Sequence, residues 1–371
     1  MAKYIYERDN WTDFTWQDKV INKVFGEVRH LQGKLTGQIN ALGFSEKEEA
    51  TLAALTSDVV KSSEIEGEML NYDQVRSSIA RRLGINTAGL VASSRNIEGV
   101  VEMMLDATQR YTLPLNNSRL FGWHSALFPT GYSGPYPIEA GRYRTAEVQV
   151  VSDAMGKEKV HYKAVSPESV KTEMDRFLEW FNNENCLDPV LKAAIAHFWF
   201  IIIHPFEDGN GRIARALTDM LLARSEDSGE RFYSMSQQIM IERKRYYEIL
   251  QKVQYSSGDI TEWLDWFLNC LKNAMLATGD TIKKILSKAE FWRLHEHTPI
   301  NERQRLMLNK LLEGFEGKLQ TSKWAGITKS STDTALRDIK DLIDKGILQQ
   351  SSEGGRSANY HLKTPFTLPP S

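Results

Sequence analysis

The sequence predicts a mainly α-helical protein with one small β-hairpin and a C-terminal winged helix-turn-helix. Three observations carry this. Apolar residues recur every three to four positions through most long segments, one short stretch alternates at period two, and the C-terminal part reads as three helices followed by two short strands around a glycine-rich turn.

In chain order, residues 4–44, with Trp11 and Trp16, have helical character but no recognisable chemistry. Helical spacing then runs through 50–60, 97–111, 169–181, 187–203, 213–223, 246–253 and 261–276. The period-two exception is 147–151 (EVQVV) and 159–162 (KVHY), separated by the turn-rich SDAMGKE, which predicts a hairpin. Residues 281–297 read as a connecting helix. Beyond it, helices are expected over 301–312, 321–326 and 331–345, stopped by Gly346, with GILQQ–SSEGGRS–ANYHL as the wing. The chain divides accordingly into a helical region (1–115), a core (116–280), and a linker helix with the winged-helix domain (281–371).

Composition narrows the function classes. The chain has 371 residues, 41% of them hydrophobic, enough for packed cores rather than disorder. A formal charge of −2 provides no global field for holding nucleic acid. From residue 291 onward, 12 basic residues oppose 9 acidic ones, a net of +3. That leaves DNA binding by the winged helix and a protein–protein or dimerisation role equally open, with Asp333, Asp338, Asp341 and Asp344 on the third helix set to repel phosphates. Two cysteines, Cys186 and Cys270, cannot form a disulfide framework or a four-thiolate zinc site, and read as mostly buried thiols. The charged, aromatic N-terminus is no signal peptide, and no apolar stretch is long enough to span a bilayer. A cytoplasmic protein without membrane contact, forming a homodimer, is expected.

One segment carries chemistry: residues 203–215, IHPFEDGNGRIAR. A long apolar helix must end before Pro205, because the residue preceding proline resists the α region. Gly209 and Gly211 flank Asn210, so successive backbone N–H groups can turn inward where the next helix opens near Arg212. This is an anion cradle. Arg212 and Arg215 share a face of that helix's first turn, where positive charge opposes the macrodipole at a cost of about 0.3–1 kcal/mol each. A bound polyanion explains that cost, and an ion pair of Arg215 with Asp219 is the structural alternative. Asp208 beside the phosphates suggests Mg²⁺, or else an N-cap. Glu207 reads as a solvated residue at the loop mouth. His204 can take a proton from a hydroxyl that attacks phosphorus; a buried core histidine is its alternative, and the one His197 is given. A His–Asp site for zinc or iron lacks further ligands at recognisable spacing, and no P-loop motif occurs.

HPFEDGNGRIAR resembles the signature of the Fic family (filamentation induced by cyclic AMP), HPFx(D/E)GNGRxxR, at every fixed position. The GRYR of residues 141–144 with the following strand resembles the family's β-hairpin flap, and Tyr246, Tyr247 and Gln254 resemble the residues near the adenine. The likeness covers roughly residues 118–266 and implies a Fic-type helical core at 116–280. It implies AMPylation, the transfer of AMP from ATP to a Ser, Thr or Tyr hydroxyl of a target protein, or of the chain itself. It further implies His204 as general base, Asp208 holding Mg²⁺, the amides of Gly209, Asn210 and Gly211 cradling phosphates, Arg212 at the β-phosphate and Arg215 at the γ-phosphate. The strand of Val148, Gln149, Val150 and Val151 would dock the target by strand addition.

Ser62-Ser63-Glu64-Ile65-Glu66-Gly67 resembles the inhibitory motif (S/T)xxxE(G/N) of Fic proteins, placing an inhibitory helix around 56–67 with Ser62, Glu66 and Gly67 as its fixed positions. Glu66 would pair with Arg215 and hold ATP out of a productive pose. A plain solvated helix end capped by Gly67 is the alternative. The expected function is a self-inhibited protein adenylyltransferase. The same residues would serve the reverse reaction, removal of AMP from a modified target. A nucleotide-sensing transcription regulator using the winged helix is a third reading.

Overall fold

The computed structural model describes residues 4–40, 43–86, 89–154, 157–315, 317–351 and 359–363. In the first unit, Met1–Thr278, a 3₁₀ turn (Ile5–Glu7) precedes α1 (Asp18–Asn40), α2 (Phe44–Ile65), α3 (Tyr72–Leu83), α4 (Arg95–Gln109) and α5 (Asn117–Leu127). Two antiparallel hairpins follow: β1 (Tyr132–Ser133) with β2 (Tyr136–Pro137), and β3 (Gln149–Ala154) with β4 (Lys157–Lys163). The unit continues with α6 (Pro167–Asn183), α7 (Pro189–Ile203), α8 (Asn210–Glu226), α9 (Met235–Ile241), α10 (Arg243–Val253) and α11 (Thr261–Leu294), which carries the chain into the second unit, Gly279–Ser371. There lie α12 (Glu302–Gly314), α13 (Thr321–Thr328), α14 (Thr332–Asp344), β5 (Leu348–Gln350) and β6 (Tyr360–Leu362). Of the expected glycine turn, SSEGGRS at 351–357, all but Ser351 lies outside the described residues.

α7 is apolar on all sides, which suits only a helix surrounded by protein. Nearly all its residues from Val190 to Ile203 are buried. Asp188 caps it by accepting the Val190 N–H at 2.8 Å, and Pro189 opens it where no N–H is needed. α8 is buried from Arg212 to Ala223 and packs along α7. These two helices and the loop joining them form the centre of the unit. Trp263 of α11 donates to the Ala194 carbonyl at 2.8 Å. Trp11 and Phe14 pack edge-on against Trp199, giving the N-terminal segment a packing role.

The structure differs from the sequence reading in several places. The regions expected at 261–276 and 281–297 are one helix, because Gly279 costs a helix interior only about 1 kcal/mol and does not break it. α3, α5, α9 and the β1–β2 hairpin are elements beyond those the sequence reading identifies. β3 and β4 consume most of the supposed turn, SDAMGKE, with a register shift between Val150 and Val151. Cys186 is exposed, and only Cys270 is buried.

The second unit has its own core, with Met307, Leu308, Leu312, Trp324, Ile339 and Leu342 buried. Asn301 and Gln304 make a capping box at the start of α12. Two of the four carboxylates expected to repel phosphates on α14 are engaged within the unit. Asp338 is 5% exposed and pairs with Arg303 at 2.8 Å, and Asp341 accepts from Gln304 at 2.7 Å and from Lys345.

Candidate active site

α7 ends at His204, whose φ of 51° and ψ of 58° are left-handed. A non-glycine residue pays to sit there and is held only by its surroundings. Arg144 does the holding. Its Nε donates to the His204 carbonyl at 2.7 Å and its Nη2 to the Val165 carbonyl at 2.5 Å, and its backbone N–H meets the Pro205 carbonyl at 2.9 Å. A cation among the last carbonyls of a helix also complements the macrodipole. The His204 Nδ1 lies 3.3 Å from the Ile201 carbonyl oxygen, which assigns the proton to Nδ1 and leaves the Nε2 lone pair free. Burial, with Arg144 adding to it, pushes the His204 imidazole down to about 4. It is therefore neutral at pH 7 and available as a base.

The loop after His204 is shaped from within. Asn210 is buried; its Oδ1 accepts the Phe206 N–H at 2.9 Å and its Nδ2 donates to the Phe206 carbonyl at 2.8 Å. Gly209 sits at φ 80° as the N-cap of α8. A Cβ there would meet the Phe128 ring at 2.9 Å. Because Gly209 brings no capping side chain, the N–H groups of α8's first turn keep their capacity for a ligand. The N-cap alternative for Asp208 thus falls to Gly209. Asp208 itself accepts the Gly209 N–H at 2.6 Å and the Ser133 hydroxyl, and its side chain stays 43% exposed at the cradle's edge. One exposed carboxylate beside an anion cradle fits Mg²⁺, which takes one or two carboxylates and completes its shell with anion oxygens and water. Among the described residues, no group of three or more His, Cys, Asp or Glu could hold a metal by itself.

Both arginines turn to the end of α2. Arg215 Nε donates to the Ser62 hydroxyl at 2.8 Å, and its Nη2 donates to the Ser62 carbonyl at 2.8 Å and to Glu66 Oε1 at 2.7 Å. The proposed Arg215–Asp219 pair is not formed, since Asp219 pairs with Arg231. Arg212 Nη1 donates to Glu68 Oε2 at 2.8 Å, a partner the sequence reading missed. Arg212 Nε and Arg215 Nη1 are buried with no hydrogen-bond partner among the described residues. The chain reaches this position through a Schellman turn. The Gly67 N–H meets the Glu64 carbonyl at 3.0 Å, the Glu68 N–H meets the Ser63 carbonyl at 3.0 Å, and Gly67 takes φ 87°. The Glu66 carboxylate then rests on Gly211, where a Cβ would lie 2.0 Å from Oε1. A carboxylate stands where the helix end and two guanidinium groups invite an anion.

Two further side chains position the loop. His124 Nδ1 accepts the Gly141 N–H at 2.9 Å, so its Nε2 donates to the Asp208 carbonyl at 3.2 Å, and its ring stacks on Phe206 at 4.2 Å. Burial holds His124 down at about 4, and hence neutral. No local sequence signal marks it, because its hydrogen-bond partners, Gly141 and Asp208, lie 17 and 84 residues away. Arg144 lies in the GRYR stretch, but its role as a staple of carbonyls is visible only in three dimensions. Glu207 is half-buried and accepts the Glu139 N–H at 3.0 Å, rather than being simply solvated.

Of the remaining expected residues, Tyr246 is buried and bonds His197. The Thr218 hydroxyl donates to the Ala214 carbonyl and accepts from His197 Nδ1 at 2.9 Å, leaving Nε2 to accept from the Tyr246 hydroxyl at 3.0 Å. His197 is thus a satisfied core histidine. Tyr247 is 40% exposed, with its ring centroid 5.0 Å from that of Tyr246. Burial raises both phenols, while the Arg215 charge acts on both in the opposite sense. Gln254 is buried at the end of α10, its carbonyl accepting the Ile5 N–H at 2.8 Å. Val148 accepts the Ala164 N–H at 3.1 Å and leads into β3. The backbone of Gln149, Val150 and Val151 is strand, and their side chains lie outside the described ones.

Residues 114–222 match the Fic/DOC family, and residues 4–85 match a domain of unknown function, DUF4172. The chain is 34% identical over 172 residues to protein adenylyltransferase fic-1 of Caenorhabditis elegans, covering 43% of this chain and 30% of that protein. It is 28% identical over 236 residues to protein adenylyltransferase Fic of Drosophila grimshawi, covering 60% of this chain and 43% of that one. The match thus spans well under half the length of these curated relatives. Among solved structures, a Fic family protein from Desulfovibrio desulfuricans G20 superposes with a TM-score of 0.54 at 20% identity, covering 95% of this chain and 98% of that one. The structure of Fic-1 residues 134–508 from C. elegans gives 0.50 at 23% identity, covering 74% of each chain. The fold is that of these Fic proteins.

Proposed function

We propose that this chain, whose residues 114–222 form a Fic/DOC domain, is a protein adenylyltransferase held in a resting state by the end of α2. The observation that carries the reading is the free Nε2 edge of His204 at the lip of a glycine cradle backed by two buried arginines. The curated relatives, named as protein adenylyltransferases, support it.

In the forward reaction the hydroxyl oxygen of a target Ser, Thr or Tyr attacks the α-phosphorus of ATP. The bond from that phosphorus to the oxygen bridging the β-phosphate breaks, and pyrophosphate leaves with the electron pair. The hydroxyl proton passes to Nε2 of His204, whose Nδ1–H is steadied by the Ile201 carbonyl. The N–H groups of α8's first turn take phosphate oxygens, with Arg212 at the β-phosphate and Arg215 at the γ-phosphate. Asp208 would hold Mg²⁺, which when bound neutralises phosphate charge. Chemistry of this kind asks chiefly for positioning and charge neutralisation, and the staples from Arg144, Asn210 and His124 supply the positioning.

Glu66 occupies Arg215 and lies on Gly211, so the phosphate tail meets a carboxylate at the far end of the cradle. Incubation with α-labelled ATP tests the reading. Weak labelling of protein is expected for the wild type, labelling at least about tenfold stronger for Glu66→Gly, and loss of about 10²-fold or more when His204→Ala is added. Equal labelling by Glu66→Gly and Glu66→Gly/His204→Ala would remove His204 from the reaction. The second unit, three helices followed by a hairpin, is proposed as a winged-helix module. Because Asp338 and Asp341 are engaged within the unit, the charge objection to DNA weakens, and a salt titration with duplex DNA decides between DNA and a protein partner.

A further inference from the structure

The end of α2 delivers two carboxylates, not one. Glu66 and Glu68 lie either side of Gly67, and the left-handed turn there directs them to different arginines: Glu66 to Arg215 at 2.7 Å and Glu68 to Arg212 at 2.8 Å. Resting on the assignment of Arg212 to the β-phosphate and Arg215 to the γ-phosphate, we infer that Glu68 is a second nucleotide-excluding residue, set against the β-phosphate as Glu66 is set against the γ-phosphate.

Three observations support this. First, Arg212 is a built anion site rather than a surface arginine: its side chain is 6% exposed, its guanidinium lies 5.0 Å over the Phe128 ring, and Asp208 is 3.8 Å away. A guanidinium so enclosed must have a partner when no ligand is present, and Glu68 is the carboxylate within bonding reach of it. Second, the fit of the carboxylates is incomplete. One N–H of each arginine, Arg212 Nε and Arg215 Nη1, is buried without a partner among the described residues, as expected of a pocket cut for an anion with more acceptor oxygens than two carboxylates present to it. Third, Glu68 can leave. Its side chain is 36% exposed and sits on the turn after α2 has ended, so water can take over its solvation when Arg212 changes partner.

Neither carboxylate bears on the α-phosphate, which belongs to the lip of the cradle near His204. The resting chain should therefore sort nucleotides by the number of phosphates. AMP meets no competing carboxylate, ADP must displace Glu68, and ATP must displace Glu68 and Glu66 together. Removing Glu66 alone leaves the chain partly latched.

Calorimetric titration with AMP, ADP and ATP tests this on the full chain. Glu68→Gln and Glu68→Ala are each expected to tighten ADP about tenfold and to leave AMP unchanged. Glu66→Gly should tighten ATP but not ADP, and the double change should bind ATP tighter than either single one. Glu64→Gln, which removes the same charge from the carboxylate paired with Lys61, should behave as wild type. If ADP affinity does not move in either Glu68 variant while AMP still binds, the second latch is wrong and the nucleotide site stands. If AMP and ADP tighten equally, the effect is general charge and the inference is again overturned. If the Glu66→Gly/Glu68→Gln chain binds none of the three nucleotides, the reading of the site itself fails.

Discussion

α2 meets the region around α8 through two sets of charges that share their chemistry and differ in depth. Midway along α2, Asp58 is 1% exposed and accepts from the Ser234 hydroxyl at 2.7 Å and the Ser236 N–H at 3.0 Å. Arg231, wholly buried over the Tyr233 ring, pairs there with Asp219 and acts on Asp58 as well. At the end of α2, Arg215 and Arg212 are also buried, but their carboxylates are not: the Glu66 side chain is 29% and that of Glu68 36% exposed. A pair with both partners sealed can only be structural, because neither charge has water to return to. A pair with one partner at the surface can open, because the departing carboxylate is solvated and the arginine can be met by a ligand. Depth of the acid, not strength of the pair, separates scaffold from switch.

The largest effect should come from breaking the sealed pair. Arg231→Met leaves buried Asp219 and Asp58 uncompensated and is expected to cost about 3–5 kcal/mol, read as a thermal midpoint roughly ten degrees lower. A shift no larger than that of Glu66→Gln would erase the distinction. Asn210→Ala should come next, at about 1–3 kcal/mol, because it strands the Phe206 N–H and carbonyl; labelling should fall with it. Glu66→Gln should cost less than about 1 kcal/mol, because its amide oxygen can still accept from Arg215, which also keeps the Ser62 hydroxyl and carbonyl, while labelling rises.

Acid should act on the core before it acts on the base. Folded His197 lies near 3, His124 near 4 and His204 near 4, all pushed down by burial from the ordinary 6.5. Between pH 6.5 and 4 the unfolded chain takes up protons that these imidazoles refuse, so their stabilising contribution is complete above 6.5 and is lost as pH falls through about 4. Melting midpoints are expected to drop across that window, less steeply in His197→Asn. An acid limb in the labelling rate of the folded protein near 6.5, rather than near 4, would contradict the environment described for His204. Another effect is local. Gly67→Ala places a side chain at φ 87°, costing about 1–2 kcal/mol in the turn; that strain is relieved when the last turn of α2 frays, so labelling should rise modestly while the global midpoint changes little.

What was legible in the sequence follows from where each contact is written. The cradle, His204 and both arginines lie within one short run, so the requirement for glycines, a base and cations shows as a pattern. Glu66 was legible through a second short run. Glu68 was not, because its meaning depends on the turn at Gly67 aiming it at a residue far along the chain. His124, Arg144 and Ser133 escaped for the same reason: each acts on backbone or a carboxylate distant in sequence. The long helix across Gly279 was misdivided because a lone glycine weakens a periodic signal more than it weakens a helix.

The Schellman turn at Gly67 has a consequence for how little must move. Since α2 is pinned at Asp58, freeing both arginines requires only that its last turn fray, with the rest of the helix staying docked. Amide hydrogen exchange would then show Glu66, Gly67 and Glu68 trading protons quickly when nucleotide is added, while Val59 and its neighbours stay protected.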